Sequence, residues 1–245
     1  MDVDPVEILG VQIDPVTYPG VMARISDWLK TDRQYQVVTI NPEFIMASQS
    51  DPEFKDILNH AALRVPDGIG LLWASNLRGK PIKNRVTGTD LVEKLVEVGE
   101  KANWRFFFLG GKEGSGEKAS KLLKIRYPNL AIAGSFEGDG SISGDSQTVA
   151  AVKKAGAIDL LLVAYGHPKQ EKWLKRNLGK TNAKVGIGVG GAFDFLSGKS
   201  KRAPEWVRQS GFEWLYRLVR EPWRFRRQLA LPKFAYLILK ERFSS

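Results

Sequence analysis

Three features of this 245-residue chain predict an α/β fold in which a mostly parallel sheet is flanked by helices and followed by a helical C-terminal appendage. Short runs rich in Val, Ile and Phe alternate with amphipathic stretches of roughly ten to fifteen residues, the rhythm of strand and helix units. Two runs, Trp104–Leu109 (WRFFFL) and Asp159–Ala164 (DLLLVA), do not alternate polar with apolar residues, as expected of central parallel strands covered on both faces. After Gly198 the strand signals stop, and from Pro204 the chain reads as helices punctuated by Pro222 and Pro232. This divides the chain into an α/β core, 1–198, and an appendage, 199–245.

Taken in order, strands are expected near 6–13, 35–40, 62–65, 104–109, 130–135, 158–164 and 184–189, where apolar residues cluster between turn formers. Helices are expected to begin at Pro19, Pro42, Pro52, Thr89, Ser115 and Pro168. Proline fits the first helical position, and Ser, Thr or Asp side chains cap the amides that have no intrahelical partner. The chain contains neither an internal repeat nor a low-complexity segment.

Charge is distributed unevenly. Of the net +10, the segment from Lys199 to Ser245 holds +8, with 12 basic and 4 acidic residues. Trp206, Phe212, Trp214, Tyr216, Trp223, Phe225, Phe234, Tyr236 and Phe243 interleave with that charge. Basic residues mixed with large aromatics suit an anionic surface that also has an apolar layer, so a membrane interface fits better than nucleic acid. No run of eighteen apolar residues occurs; Ala157–Gly166 and Leu229–Leu239 are too short to span, and Lys233 interrupts the second. Membrane association is therefore expected to be peripheral. The N-terminus MDVDPVEILG lacks the basic and apolar regions of a signal peptide, which makes the cytoplasm the expected compartment.

Composition also excludes chemistry. Without cysteine there is no disulfide, thiolate metal site or cysteine nucleophile. His60 and His167 are the only histidines, too few for a His-based metal site or a credible Ser-His-Asp arrangement. Asp2-Val3-Asp4 is the sole Asp-x-Asp pair and sits at the terminus, so no metal cofactor is expected.

Ligands of open α/β sheets gather past the carboxyl ends of the strands, and four such exits are polar or glycine-rich. Thr39-Ile40-Asn41-Pro42 puts a hydroxyl and an amide before a helix, where either also serves as a cap. Pro66-Asp67-Gly68 is an ordinary turn or a carboxylate aimed into a cleft, where burial would raise its pKa toward that of a general base. Leu109-Gly110-Gly111 opens a glycine loop before a helix, suited to phosphate, although Walker A and dinucleotide spacings both fail. Gly166–Glu171 and Gly186–Asp194 bring further glycines, with Gln170 able to read a sugar or base edge.

In combination these residues resemble a known family. Thr39-x-Asn41, Pro66-Asp67-Gly68, Arg85-Val86-x-Gly88-x-Asp90, Leu109-Gly110-Gly111, Gly166-x-Pro168-Lys169-Gln170-Glu171, Gly190-Gly191-x-Phe193-Asp194, Arg202-Ala203-Pro204, Glu213–Leu218 and Glu221–Arg224 resemble, in order, the bacterial WecG/TagA/CpsF glycosyltransferases. The resemblance runs from about residue 8 to residue 235. It implies a Rossmann-like core and inverting transfer of a sugar, foremost N-acetylmannosamine, from a UDP-sugar to undecaprenyl-diphosphate-linked GlcNAc. The product is a β-1,4 linkage in wall teichoic acid or another surface polysaccharide, made without metal on the cytoplasmic face of the membrane. A homodimer in solution is implied as well.

On that basis Asp67 is the expected general base, with Thr39 beside it. Arg217, Arg220, Arg224 and Arg227, with Arg85, are expected to neutralise the departing diphosphate, because guanidinium meets phosphate in two-pronged fashion and stays charged. Thr39, Asn41 and Gln170 would orient sugar groups, while the loops at Gly110 and Gly111 and at Gly190, Gly191 and Asp194 would lie against the nucleotide. The 3-4-3 spacing of the tail arginines puts them on one helical face unless Pro222 breaks the helix. Trp223, Phe225, Phe234 and Tyr236 would then face the bilayer. The alternatives are the same family fold using a different UDP-sugar donor, a dinucleotide-dependent oxidoreductase, resting only on the alternating strands and glycine loops, and a non-enzymatic membrane- or nucleic-acid-binding module acting through its tail.

Overall fold

The computed structural model describes residues 4–222 and 225–244. It opens with β1 (Val6–Ile8) and β2 (Val11–Ile13), an antiparallel pair rather than the one strand expected over 6–13. Leu9 and Gly10 both take positive φ, 50° and 77°, which is the backbone of a tight two-residue hairpin turn. Gln49 Nε2 and Lys55 Nζ donate to the Leu9 carbonyl and hold the turn on the body of the protein.

The six remaining strands are β3 (Tyr35–Ile40), β4 (Leu63–Pro66), β5 (Arg105–Gly110), β6 (Ala131–Phe136), β7 (Ile158–Ala164) and β8 (Ala183–Gly188). They form one sheet, ordered β4-β3-β8-β7-β5-β6, with every pairing parallel. The chain runs outward from β3 to β4, crosses to β5 and β6 at the far edge, and returns through β7 so that β8 inserts beside β3. This reversal opens a crevice above the carboxyl ends of β3 and β8, the place where such sheets bind ligands.

Helices α1 (Tyr18–Trp28), α2 (Pro42–Ser48), α3 (Pro52–His60), α4 (Ile69–Leu77), α5 (Gly88–Ala102), α6 (Ser115–Arg126), α7 (Asp145–Lys154) and α8 (Lys169–Asn177) connect the strands, and α9 (Ala192–Leu196) follows β8. Pro19 and Thr89 fall one residue inside their helices because the caps lie earlier: Thr17 Oγ1 accepts from Gly20 N at 3.2 Å and Thr87 Oγ1 from Asp90 N at 3.3 Å. Pro168 likewise precedes α8 as its cap residue. Asn41 and Asp51 cap α2 and α3 through Phe44 N and Phe54 N. Helices α4, α7 and α9 occupy stretches where the sequence pattern had set none.

Both faces of the sheet are buried, as the non-alternating strands predict. Phe106 and Phe108 of β5 join one apolar cluster with α1, α5 and α6 residues, while Phe107 and Leu109 point the other way toward Trp173 and Leu174 of α8. Beyond Gly198 all regular structure among the described residues is helical: α10 (Glu205–Gln209), α11 (Glu213–Arg220), α12 (Phe225–Gln228) and α13 (Ala230–Ser244). Helix α13 packs on α2 and α4, placing Phe234 and Ile238 in one cluster with Val38, Ile40, Phe44 and Leu71. Phe234 is only 2% exposed and faces the core instead of a bilayer. Its burial is worth on the order of 2 kcal/mol, one part of the packing that joins α13 to the sheet domain.

Candidate active site

Two adjoining cavities of about 180 and 140 Å³ lie over the carboxyl ends of β4, β3, β8 and β7 and share Asn41, Asp67, Gly88, Phe195 and Arg217 in their walls. Asp67 follows β4 directly, its backbone N–H donating to the Ile40 carbonyl at the end of β3. Its Oδ2 accepts from Gly88 N at 3.0 Å, at the first turn of α5. A Cβ added at Gly88 would stand 3.5 Å from Asp67 Oδ2 and 3.6 Å from Thr39 Oγ1, in ordinary contact with both, so Gly88 borders the two side chains closely. Burial pushes the Asp67 pKa up to about 6 against the pull of the Gly88 N–H; Glu213 raises it further and Arg85 lowers it.

Thr39, on β3, is buried and donates through Oγ1 to the Gly188 carbonyl at 3.1 Å, tying β3 to β8 beneath the second cavity. Asn41 spends its Oδ1 on the α2 cap while lining both cavities. Gln170, in the first turn of α8, is almost wholly buried; its Oε1 accepts from Gly166 N at 3.1 Å and from Gly190 N at 3.0 Å. One amide thus links the exits of β7 and β8.

The cationic side of the site comes from separate elements. Arg85 lines the first cavity and donates to the Arg208 carbonyl at 3.1 Å. Arg217, on α11, lines both, stacks 4.7 Å above the Phe195 ring and lies 3.9 Å from the Glu221 carboxylate. Gly191 lets it approach, since a Cβ there would be 3.3 Å from the Arg217 guanidinium. Arg227, on α12, lines the second cavity while paired with Glu43 at 2.7 Å and with His167 Nδ1 at 3.1 Å. Helix α11 ends at Arg220, before Pro222, so the tail arginines do not share one helical face. Arg220 lies over Tyr216, outside the cavity walls. Arg224, with Trp223, falls outside the described residues.

The decisive comparison is with known sequences. The profile of the Glycosyl transferase WecG/TagA/CpsF family matches residues 6–245. The chain belongs to this family. It is 35% identical, over 84% of this chain and 79% of the relative, to the N-acetylglucosaminyldiphosphoundecaprenol N-acetyl-beta-D-mannosaminyltransferase of Bacillus subtilis (strain 168). The Bacillus spizizenii protein of the same name is 34% identical, over 85% of this chain and 80% of its own length. The Staphylococcus aureus (strain MRSA252) protein of that name is 30% identical over 96% of this chain and 92% of its own. The match makes the chain a glycosyltransferase and does not favour the oxidoreductase alternative.

In this glycosyltransferase not every glycine loop reaches the cavities. Gly110 and Gly111, at the end of β5, are outside both walls. Their positive φ values, 88° and 84°, serve close packing instead: a Cβ on Gly110 would lie 3.0 Å from the Ala164 backbone, and one on Gly111 2.6 Å from Ser115 Oγ. The amide of Gly114, beside the start of α6, donates to Glu137 at 3.2 Å. Asp194 sits behind Gly191, off the cavity walls, where its carbonyl accepts from Ser200 N. Conversely, Glu43, Gly88, Phe195, Glu213 and Trp214 line the site without having been assigned a role from sequence. Only Glu213 and Trp214, inside the Glu213–Leu218 segment of the family pattern, and Gly88, in the same motif as Arg85, carried a signal that pointed here. Among the described residues no group of three His, Asp or Glu side chains is arranged to hold a metal ion.

Proposed function

We propose that this protein transfers N-acetylmannosamine, with inversion, from UDP-N-acetylmannosamine to the GlcNAc of undecaprenyl-diphosphate-linked GlcNAc, forming a β-1,4 linkage in cell-surface polymer synthesis, whether wall teichoic acid or polysaccharide. The observation that carries this reading is Asp67: a carboxyl with pKa about 6 beside a cavity walled by Arg85 and Arg217. The names of the relatives supply the acceptor lipid and the sugar.

In the reaction, the acceptor hydroxyl oxygen attacks the anomeric carbon opposite the leaving group while Asp67 accepts its proton. The bond from that carbon to the diphosphate oxygen breaks, and its electron pair leaves with UDP. Arg217, Arg85 and Arg227 stabilise the charge that develops on the diphosphate, a role that replaces a metal ion. Thr39 holds the floor of the cavity, Asn41 orients the sugar, and Gln170 orders the Gly166 and Gly190 loops that hold the donor.

The enzyme works on the cytoplasmic face of the membrane as a peripheral protein, and a homodimer in solution belongs to the same reading. None of the described helices is long and apolar enough to cross a bilayer. Phe225, Tyr236 and Phe243 are exposed among the basic residues of the appendage and suit the lipid interface.

Turnover of a panel of UDP-sugars with a short-chain lipid-diphosphate-GlcNAc acceptor, with EDTA present, tests the reading. UDP-N-acetylmannosamine is expected to be the fastest donor, with undiminished rate in EDTA; a different preferred donor overturns the sugar assignment, and loss of rate in EDTA overturns metal independence. The pH profile adds a second test. Asp67 must be ionised to act as base, so kcat/KM is expected to fall about tenfold per pH unit below about 6. Glu213→Gln removes a negative neighbour that raises the Asp67 pKa, so this acid limb should shift to lower pH. An unmoved limb would separate Glu213 from Asp67.

A further inference from the structure

Glu171 lies next to Gln170 on α8, is fully buried, and belongs to none of the cavity walls. Its Oε1 accepts from Gln170 Nε2 at 2.7 Å, whereas Oε2 is buried without a hydrogen-bond partner. Burial is the leading influence on this carboxyl and raises its pKa to about 7, with only the Gln170 amide and its own backbone opposing. Burying a polar atom without a hydrogen-bond partner is costly, so its retention here needs a reason.

The geometry around it supplies a task. A glutamine amide has an acceptor on one side and a donor on the other. With Gln170 Nε2 engaged by Glu171, Gln170 Oε1 is left facing the amides of Gly166 and Gly190, both of which need an acceptor. Were the amide reversed, its NH₂ group would confront two N–H donors. Gly188, the last residue of β8, is bare at the same point: a Cβ there would lie 2.6 Å from Gln170 Nε2 and crowd Glu171 Oε1. The pair is held from behind by Gln36 Nε2, which donates to the Glu171 carbonyl at 3.1 Å. Everything about the pair fixes one amide orientation, and that orientation joins the two loops walling the second cavity.

We propose that Glu171 is a positioning residue for the nucleotide pocket: through Gln170 it clamps the Gly166 and Gly190 loops in the spacing that receives the uridine diphosphate part of the donor. This rests on the donor reading given above. The role requires a hydrogen-bond acceptor at Glu171 and not a negative charge, so Gln can replace Glu there, whereas an apolar residue of similar size cannot.

The test uses the full chain and two readouts, UDP affinity by calorimetry and separate KM values for UDP-N-acetylmannosamine and for the lipid acceptor. Glu171→Leu is expected to weaken UDP binding and raise the donor KM by about tenfold, the usual scale for stranding a buried amide, with the acceptor KM within about twofold of wild type. Glu171→Gln is expected to restore UDP affinity to within about threefold. Unchanged UDP affinity in Glu171→Leu, an equal rise in acceptor KM, or a Gln variant as weak as the Leu variant would overturn the proposal. If Glu171→Leu does not fold, Glu171→Asp withdraws the acceptor by one methylene while keeping the acid. Asp weaker than Gln supports the clamp, and equal affinities reject it. Wild-type turnover of UDP-N-acetylmannosamine is the control: its absence would refute the donor reading, while UDP affinity would still report on the clamp.

Discussion

Asp67→Asn is expected to reduce the turnover number for sugar transfer by about 10²–10⁴-fold, the range for loss of a positioned general base, while UDP affinity stays within about twofold. Asparagine keeps the shape of the side chain and an oxygen able to accept the Gly88 N–H that now meets Asp67 Oδ2 at 3.0 Å. The first turn of α5 and the cavity wall therefore stay in place, and what is lost is the basic oxygen. Steady-state turnover paired with calorimetric UDP binding separates the two; more than about a tenth of wild-type turnover would remove Asp67 as the base. Stability should move the other way. The folded-state pKa of about 6 is above the ordinary carboxylate value of 3.8, so the contribution of this group is fully present below pH 4 and is lost as pH rises through 6. At pH 8 the wild type thus bears a cost of at most about 3 kcal/mol that the asparagine variant escapes. A variant that melts higher at pH 8, no different at pH 3.5, and nearly inactive would mark Asp67 as a residue retained for chemistry at the expense of stability.

What the sequence revealed and what it hid follow from the range of the forces involved. The strands and the capped helices α1, α2, α3 and α5 were legible because β-branched runs, Pro at the helix start and Thr, Asn or Asp caps act within a few residues. The placing of Asp67, Thr39 and Asn41 was legible as well, since each follows or ends a strand. Gly110 and Gly111 lie outside the two cavities for a reason local pattern cannot resolve. A positive-φ glycine at a strand exit looks the same whether a phosphate or the neighbouring Ala164 backbone comes close, and only the strand order reveals that β5 lies away from the β3–β8 crevice. Phe234 was misread in the same way. An aromatic residue in a basic segment suits a bilayer, but the α2–α4 surface that buries it is built from residues far earlier in the chain, at 42–48 and 69–77. Helix α4, IGLLWASNL, carries apolar residues on most sides and so gave no amphipathic signal. Glu43 offered nothing beyond the first turn of a helix, although its pairing with Arg227 joins the appendage to the core.

Arg217 is the arginine whose loss should cost most. It lines both cavities, Gly191 admits its guanidinium, and its guanidinium carbon sits over the Phe195 ring at 4.7 Å from the centroid. A cation held this way is already oriented when charge develops on the leaving diphosphate, which is where preorganised electrostatics act most strongly. Arg217→Ala is therefore expected to lower turnover by about 10²–10³-fold, measured at pH 8 so that Asp67 is ionised in both proteins. Arg217→Lys should recover only part of the loss, because an ammonium neither stacks flat on Phe195 nor meets two phosphate oxygens at once. Arg227 should matter less. Its guanidinium is already engaged by Glu43 and His167, and reaching a phosphate means giving up a pairing at 2.7 Å. Arg220→Ala is the internal control, since Arg220 lies over Tyr216 outside both cavities and its removal should change turnover by less than about twofold. The ordering Arg217, then Arg227, then Arg220 separates a leaving-group site from a merely basic surface. A basic surface working through net charge would lose the same amount at each position and recover fully with lysine, so equal effects at Arg217 and Arg220 would move the diphosphate away from the Phe195 wall.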